Sequence, residues 1–401
     1  MITVEQALEI LSKHPWQVKE QLINLENSYG YLLKEDLHAD RDFPPFDRVS
    51  MDGIAIRYDD YQSGIRTFPI AYLQAAGSPQ SIHHTGESCV EVMTGAVLPT
   101  GVDTVIRYED LRIDQGTAEV LADQIEKGQN VHVRGFDRKR DDILVHSNTW
   151  LTSAEIGVAA TIGKSKIKVV EMPRVLIVST GDELVPVDQE PLPHQIRSSN
   201  AAMLRSALLA RGIRAESSHL VDNEKVMSGK IKEWITEFEV MILLGGSSKG
   251  KYDYVPSSLK KLGVQEHFYR IKQRPGKPLW FGSKDNSFFA FALPGNPVSC
   301  FMCFEKYFNF WLNKSLGLTK MPLTAILRSD FRFEPKLTYF LQVQLHVEQE
   351  SLYGDPVVGH GSGDLANLTR ADAFMELPAN QTDFKAGTSF PLMVYRETFY
   401  K

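Results

Sequence analysis

The chain has 401 residues, 43% of them apolar and 23% charged, the balance of an ordinary globular protein with roughly two to four cores. Its 50 acidic and 44 basic residues leave a net charge of −6, which excludes a general attraction to nucleic acid and confines anion binding to local basic clusters. Three cysteines exclude a disulfide framework, and neither a charged-then-apolar leader nor a bilayer-length apolar run is read, so the expectation is a cytoplasmic protein without membrane or nucleic-acid partners.

Thr3-Val4-Glu5-Gln6 is a capping-box pattern ahead of Ala7, Leu8, Ile10 and Leu11, so an amphipathic helix is expected at the start. The stretch 24–37 reads as a helix or turn leading into a strand. Asp42-Phe-Pro-Pro-Phe-Asp47-Arg48-Val-Ser50-Met51-Asp52-Gly53 follows. Two prolines stiffen it and the Asp-Gly end demands a turn, so it is either a connector or a rigid arm carrying carboxylates to a site. From 54 to 137, short strands broken by Gly, Pro and Asp indicate an all-β module. Within it, Thr94-Gly95-Ala96 offers a small-residue surface for a partner chain or a ligand. His132-Val-Arg134-Gly135-Phe136-Asp137 is dense in both signs, either a solvated loop or a place where the Arg134 guanidinium and the Asp137 carboxylate are presented together. Thr152-Ser153-Ala154-Glu155 opens another helix.

At Arg174 the character changes. Val175-Leu-Ile-Val178 is a buried-strand run that ends at Ser179-Thr180-Gly181-Asp182-Glu183, with two carboxylates at its edge. A helix from Asn200 through Leu208 is closed by Arg211-Gly212, and a strand over 217–221 precedes Asp222, expected both to cap the next helix and to add a third acid. Val240 to Leu244 is again a buried strand, stopping at Gly245-Gly246. This alternation predicts a doubly wound α/β unit whose ligand sits at the strands' carboxyl ends.

The run Gly245-Gly246-Ser247-Ser248-Lys249-Gly250-Lys251 combines backbone N–H groups, hydroxyls and ammonium groups, which makes an anion cradle. It matches G-x-x-x-x-G-K, but Tyr252 stands where a P-loop needs a Mg²⁺-binding hydroxyl. The arrangement favoured instead is an acid, Asp253, on a divalent metal, beside a basic hairpin, Arg270-Ile-Lys272-Gln-Arg274-Pro-Gly-Lys277, that neutralises oxyanions. Another strand, 289–293, leads through Pro294-Gly295-Asn296-Pro297-Val298-Ser299 into a helix whose first N–H groups are expected to be free. Cys300 and Cys303 in that helix read as core thiols. After residue 321 a period of two returns, as in a small β module able to fold over a partner's site.

With these residues in view, the chain resembles the MoeA family of molybdopterin molybdenumtransferases, to which the gephyrin E domain is related. The motifs are PPFDRVSMDGIAIR, VMTGAVLPTGVDTVI, the RG-x-D of Arg134 to Asp137, STGDEL, IRSSN, the Gly245 to Tyr254 run, RPGKP, LPGNPVS and GSGDLANL, and they occur in family order along the chain. The resemblance implies an elongated multidomain protomer: an N-terminal helical and extended domain (1–50 and 138–172), an inserted β-rich domain (51–137), a molybdopterin-binding-like α/β domain (173–322) and a C-terminal β-barrel-like domain (323–401). It also implies a homodimer that inserts molybdate, its substrate, into adenylylated molybdopterin, releases AMP and requires Mg²⁺, with an upstream pterin adenylyltransferase as a further partner.

Carried over by position, catalytic roles are implied for Asp52, Asp137, Glu183, Asp222 and Asp253, with Glu183, Asp222 and Asp253 as the metal ligands. Substrate contacts are implied at Thr94 and at Gly245, Gly246, Ser248 and Gly250. They are also implied at Arg270, Arg274 and Lys277 and at Pro294, Asn296, Ser299 and Ser362. The chain departs from the family pattern in several places. Arg270 and Arg274 stand where lysine is common, exchanging an ammonium for a planar fork. Phe136 and Ser198 replace acidic residues, Lys249 and Lys251 add positive charge, and the run from Lys336 to Gln342 lacks an arginine that relatives place there. A dimeric scaffold of the same fold, or a paralogue with another pterin or nucleotide ligand, is the alternative.

Overall fold

The computed structural model describes residues 1–84, 86–221, 223–245, 254–319 and 321–396. The chain divides into two compact units, Met1–Gln21 with Val169–Lys401, and Leu22–Lys168.

The first unit opens with helix α1 (Val4–Ser12), where the expected capping box is formed: Gln6 N donates to the Thr3 hydroxyl and Thr3 N to Gln6 Oε1. The second unit is built on a six-stranded sheet of β1 (Gly53–Ile56), β2 (Thr67–Gln74), β3 (Cys89–Val92), β4 (Thr104–Arg107), β5 (Leu111–Asp114) and β6 (Thr117–Val120). The order is β4-β1-β3-β2-β6-β5, as the short-strand pattern predicts. Ile54, Ile56, Phe68 and Ile106 fill the core on one side, while Val90, Val92 and Val105 pack on the other. Helix α2 (Ser153–Thr161) starts with a second capping box, Thr152 with Glu155, and packs on the turn Leu25–Asn27. That turn follows a strand, Lys19–Asn24, and leads on to the short strand Leu37–His38, so of the two readings of 24–37, helix or turn, the turn is the one formed.

The rest of the first unit alternates as predicted: β7 (Val175–Thr180), α3 (Ser199–Leu209), β8 (Glu216–Leu220), α4 (Glu224–Glu237), β9 (Val240–Leu244), α5 (Val255–Lys261), β10 (Gln265–Tyr269), β11 (Trp280–Lys284), β12 (Phe288–Leu293), α6 (Pro297–Cys303) and α7 (Asn309–Ser315). The sheet order is β8-β7-β9-β12-β11-β10. The first four strands are parallel and the last two form an antiparallel edge. Residues of β7, β9 and β12 are buried throughout, which is why they read as continuous apolar runs. Alternate residues serve opposite faces: Met241, Leu243 and Ala290 meet Met227 and Ile231 of α4, while Phe289 and Phe291 lie 4.9 Å and 5.4 Å from the Trp311 ring of α7. Trp311 Nε1 donates to His14 O at 2.7 Å, tying the end of the first helical segment to the same face. The cap of α4 is Asn223, whose side chain accepts from Lys225 N and Val226 N, and not Asp222.

The C-terminal module is a barrel of β13 (Leu323–Leu327), β14 (Thr338–Glu348), β15 (Ser351–Pro356), β16 (Ala373–Leu377) and β17 (Ser389–Val394). Its order, β14-β15-β13-β17-β16, closes on itself through a β14–β16 pairing. A two-residue strand from the basic hairpin, Gln273–Arg274, adds in parallel to the start of β14, with Gln273 beside Thr338 and Arg274 beside Tyr339. The module therefore stands over turns of its own chain.

Candidate active site

Strand order sets the location. The chain leaves β7 for β8 on one side and then crosses back to β9 on the other, so the carboxyl ends of β7 and β9 flank the point where the winding reverses, the usual ligand crevice of an open α/β sheet. Gly245 ends β9 there with φ +94°. A Cβ on it would lie 2.9 Å from Thr180 Oγ1 and 3.2 Å from Thr180 O, so the two strand ends approach because this residue has no side chain.

A cavity of about 870 Å³ opens from Gly245 toward the barrel. Its α/β wall carries Arg274, Lys277, Pro294, Asn296 and Ser299; its barrel wall carries Tyr339, Phe340, Gln342, His360 and Ser362. Seven of the substrate-binding positions expected from the sequence thus line one space. The walls are joined at the turn: Asn296 Nδ2 donates to Ser362 Oγ at 2.8 Å and Val298 N to Ser362 O at 3.1 Å. The N–H of Val298 at the start of α6 is thereby used, contrary to the expectation of a free one, and Pro297 before it has none.

The basic hairpin is held from beneath. Gln273, 1% exposed, donates through Nε2 to Gly276 O at 2.8 Å and accepts from the Tyr307 hydroxyl through Oε1. Gly276 has φ +80°, and a Cβ there would run into Cys303 Sγ and lie 2.9 Å from Met302 Cε. The close approach seats the turn directly on α6, while Arg274 and Lys277 remain exposed toward the cavity. Cys300 and Cys303 are buried and unbridged, as core thiols should be, with burial pushing both thiols up. Arg270 is not part of the cavity lining: it sits at φ +70°, its guanidinium 5.0 Å from the Tyr269 ring and its Nε buried without a partner.

Glu183, three residues beyond β7, is exposed, and its carboxylate lies back over Gly181. Asp222, Gly246, Ser248, Gly250 and Asp253 lie outside the described residues, as do Lys249 and Lys251. Among the described residues no group of three potential ligands surrounds a metal position. The one described member of the expected Mg²⁺ set, Glu183, is an exposed carboxylate, a hard oxygen donor of the type Mg²⁺ takes.

In the second unit, Asp52 and Thr94 are together: Thr94 N donates to Asp52 Oδ1 at 2.6 Å, and the Thr94 N–H and hydroxyl hold this carboxyl below the usual range. Asp137 pairs with His132, Nε2 to Oδ1 3.1 Å, while Arg48 Nη2 donates to His132 Nδ1 at 3.0 Å. The Arg134 guanidinium instead meets Asp42 Oδ2 at 2.8 Å, so Arg134 and Asp137 face different partners. Gly135 N and Asp137 N donate to Pro44 O and Phe43 O, which fastens this loop to the proline-stiffened arm. Sequence reading missed Gln273, His132 and Asn200; Asn200 Nδ2 braces the Pro294 turn through Gly295 O at 2.7 Å. A polar residue inside a basic hairpin, or in the IRSSN run, was the available signal.

A doubly wound sheet whose switch-point edge gathers cations, hydroxyls and small-residue turns beneath a barrel defines an α/β protein that binds oxyanion-bearing ligands. Comparison with known proteins sharpens that class. Residues 2–163 match the MoeA N-terminal region (domain I and II), 176–314 a probable molybdopterin binding domain, and 324–395 the MoeA C-terminal region (domain IV). A molybdopterin molybdenumtransferase of Synechocystis is 38% identical over 98% of this chain and 100% of its own, and one of Staphylococcus epidermidis is 30% identical over 96% and 94%. A crystal structure of a molybdopterin biosynthesis MoeA protein from Pyrococcus horikosii superposes with a TM-score of 0.85 at 25% identity, covering 98% of this chain and 99% of that one. The chain belongs to the MoeA family.

Proposed function

We propose that this protein is a molybdopterin molybdenumtransferase: it inserts molybdate into adenylylated molybdopterin, giving the molybdenum cofactor and AMP. The observation that carries the reading is the convergence of Arg274, Lys277, Asn296, Ser299 and Ser362 on one cavity at the switch-point edge of the sheet. Arg274 and Lys277 supply fixed positive charge to phosphate and molybdate oxygens, the Ser299 and Ser362 hydroxyls line the same space, and the seating of Gly276 on α6 removes the freedom that would blur their positions. The barrel wall forms the far side of the cavity.

Glu183, with Asp222 and Asp253, is proposed to hold Mg²⁺, which when bound neutralises phosphate oxygens. Asp52 and Asp137 are proposed as further acids of the reaction; the hydrogen bonds of Thr94 hold the Asp52 carboxyl below its usual range, and His132 orients Asp137. The same reading includes a homodimer, a cytoplasmic location, a pterin adenylyltransferase upstream, and the four-part division at 1–50 with 138–172, 51–137, 173–322 and 323–401. No described helix is long and apolar enough to cross a membrane. A scaffold reading is not favoured, because the matched transferases run the full length of the chain.

The test is incubation with adenylylated molybdopterin, Mg²⁺ and molybdate. Molybdate-dependent AMP release is expected from the native chain and is abolished by Asp52→Ala. No release from the native protein refutes the proposal.

A further inference from the structure

The cavity is two-sided in a way that the oxyanion chemistry leaves unexplained. Its α/β wall carries the cations Arg274 and Lys277, whereas its barrel wall carries apolar residues, Val357 and Val358 among them, and one carboxamide, Gln342. The backbone of Gln342 is employed in the barrel: it registers with Phe374, and Val357 N donates to its carbonyl at 2.9 Å. Its side chain is not. Gln342 Oε1 is turned into the wall, shut off from solvent, and accepts no hydrogen bond. A buried amide oxygen left without a donor destabilises the protein that holds it, and neither Arg274 nor Lys277 donates to it. The terminal torsion of glutamine is broad and soft, so the amide turns outward at little cost once the cavity contains a donor.

We infer that Gln342 reads the amino-bearing edge of a nitrogen heterocycle whose phosphate is held by Arg274 and Lys277. A carboxamide is a matched partner for such an edge, since it accepts from the exocyclic amine while donating to the neighbouring ring nitrogen, the pairing glutamine makes with adenine. Val357, whose N–H meets the Gln342 carbonyl, and Val358 give the ring an apolar surface near that amide. This inference rests on the transferase reading of the site and assigns the Gln342 part of its barrel wall to the ring rather than to the oxyanion. Two heterocycles of the proposed substrate carry that chemistry, the adenine and the pterin, and the experiment separates them.

The full chain and a Gln342→Met variant, which keeps length and removes the amide, are titrated calorimetrically with AMP, with a pterin phosphate, with purine riboside monophosphate, which lacks the amine, and with molybdate. The ring at this wall is the one whose affinity falls about tenfold in Gln342→Met, the loss of one hydrogen bond. If it is adenine, purine riboside monophosphate binds both proteins equally. Molybdate affinity stays within about twofold in the variant, which also shows that the variant is folded. Equal binding of both amine-bearing ligands by the two proteins overturns the inference and leaves the transferase reading standing. Loss of molybdate binding in the variant reduces Gln342 to a structural part and overturns it as well. Failure of the native chain to bind any of these ligands removes the underlying reading and the inference together.

Discussion

Replacing Gly276 by alanine strains the turn of the basic hairpin in two separable ways. The first is conformational: at φ +80° an L-residue with a Cβ is disfavoured by about 1–2 kcal/mol, offset by about 0.4–1 kcal/mol because alanine is also stiffer in the unfolded chain. The second is steric. The new methyl runs into Cys303 Sγ and lies 2.9 Å from Met302 Cε, both on a helix whose buried side has no room to retreat, and overpacking of this kind costs about 1–3 kcal/mol. The net loss is about 3 kcal/mol, a fall in thermal midpoint of roughly 6–12 °C for a unit of this size.

Gly317 provides the control. It has φ +73° with nothing within 4 Å of a built Cβ, so Gly317→Ala carries the conformational part alone, about 1 kcal/mol or roughly 2–4 °C. Differential scanning calorimetry of the two variants isolates the steric part. Adding Cys303→Ala to Gly276→Ala then recovers about 1–2 kcal/mol relative to the sum of the single changes. If Gly276→Ala melts within a degree of Gly317→Ala, or if the double variant shows no coupling, the seating of the turn on α6 is not what fixes it.

Lys277→Ala removes an exposed charge from the cavity rim, so molybdate affinity is expected to fall about tenfold to a hundredfold by calorimetry with an unchanged thermal midpoint. Thr152→Ala deletes the hydroxyl that caps α2 and destabilises that helix by about 1 kcal/mol, read as faster amide exchange over Ser153–Thr161. His267 stacks on His14 at 3.6 Å, and burial, with a contribution from the charge of His14, lowers it from 6.5 to about 4. Between those values the unfolded chain binds the extra proton, so stability falls as pH drops from about 6.5 toward 4, by about 1–2 kcal/mol once partial solvent access to the ring is discounted. Urea unfolding at pH 7 and pH 5 measures this, and His267→Phe should flatten the difference.

The parts of the fold that announced themselves were those fixed by local rules. Thr3 with Gln6 and Thr152 with Glu155 satisfy their caps within one turn, and the runs at Val175, Val240 and Phe289 are apolar throughout because sheet neighbours cover both faces. The basic hairpin and the Pro294 turn, proposed to meet an anion, could be singled out for the same reason: their chemistry is compact in sequence. What could not be read was long-range. Nothing in Gln265-Glu-His-Phe-Tyr269 marks it as an antiparallel edge strand, since most of it is exposed or half-exposed and its partner is fifteen residues on. Nor does any local signal say that Gln273 and Arg274 will pair with Thr338 and Tyr339, or that Tyr307 will reach up to Gln273. The cap of α4 was misplaced by one residue because Asp222 and Asn223 are both good caps, and only backbone geometry chooses between them.

The loan of Gln273 and Arg274 to the barrel makes the two C-terminal modules inseparable in practice. A fragment cut before residue 323 would keep every strand of its sheet yet lose the scaffolding along one border of the RPGK loop, so excising the sheet as an independent binding cartridge should blunt recognition by more than the loss of Gln342 and Ser362 alone. Selection on either module is thereby selection on both, and exchange of barrels between relatives has to preserve the pairing of Thr338 and Tyr339 with Gln273 and Arg274.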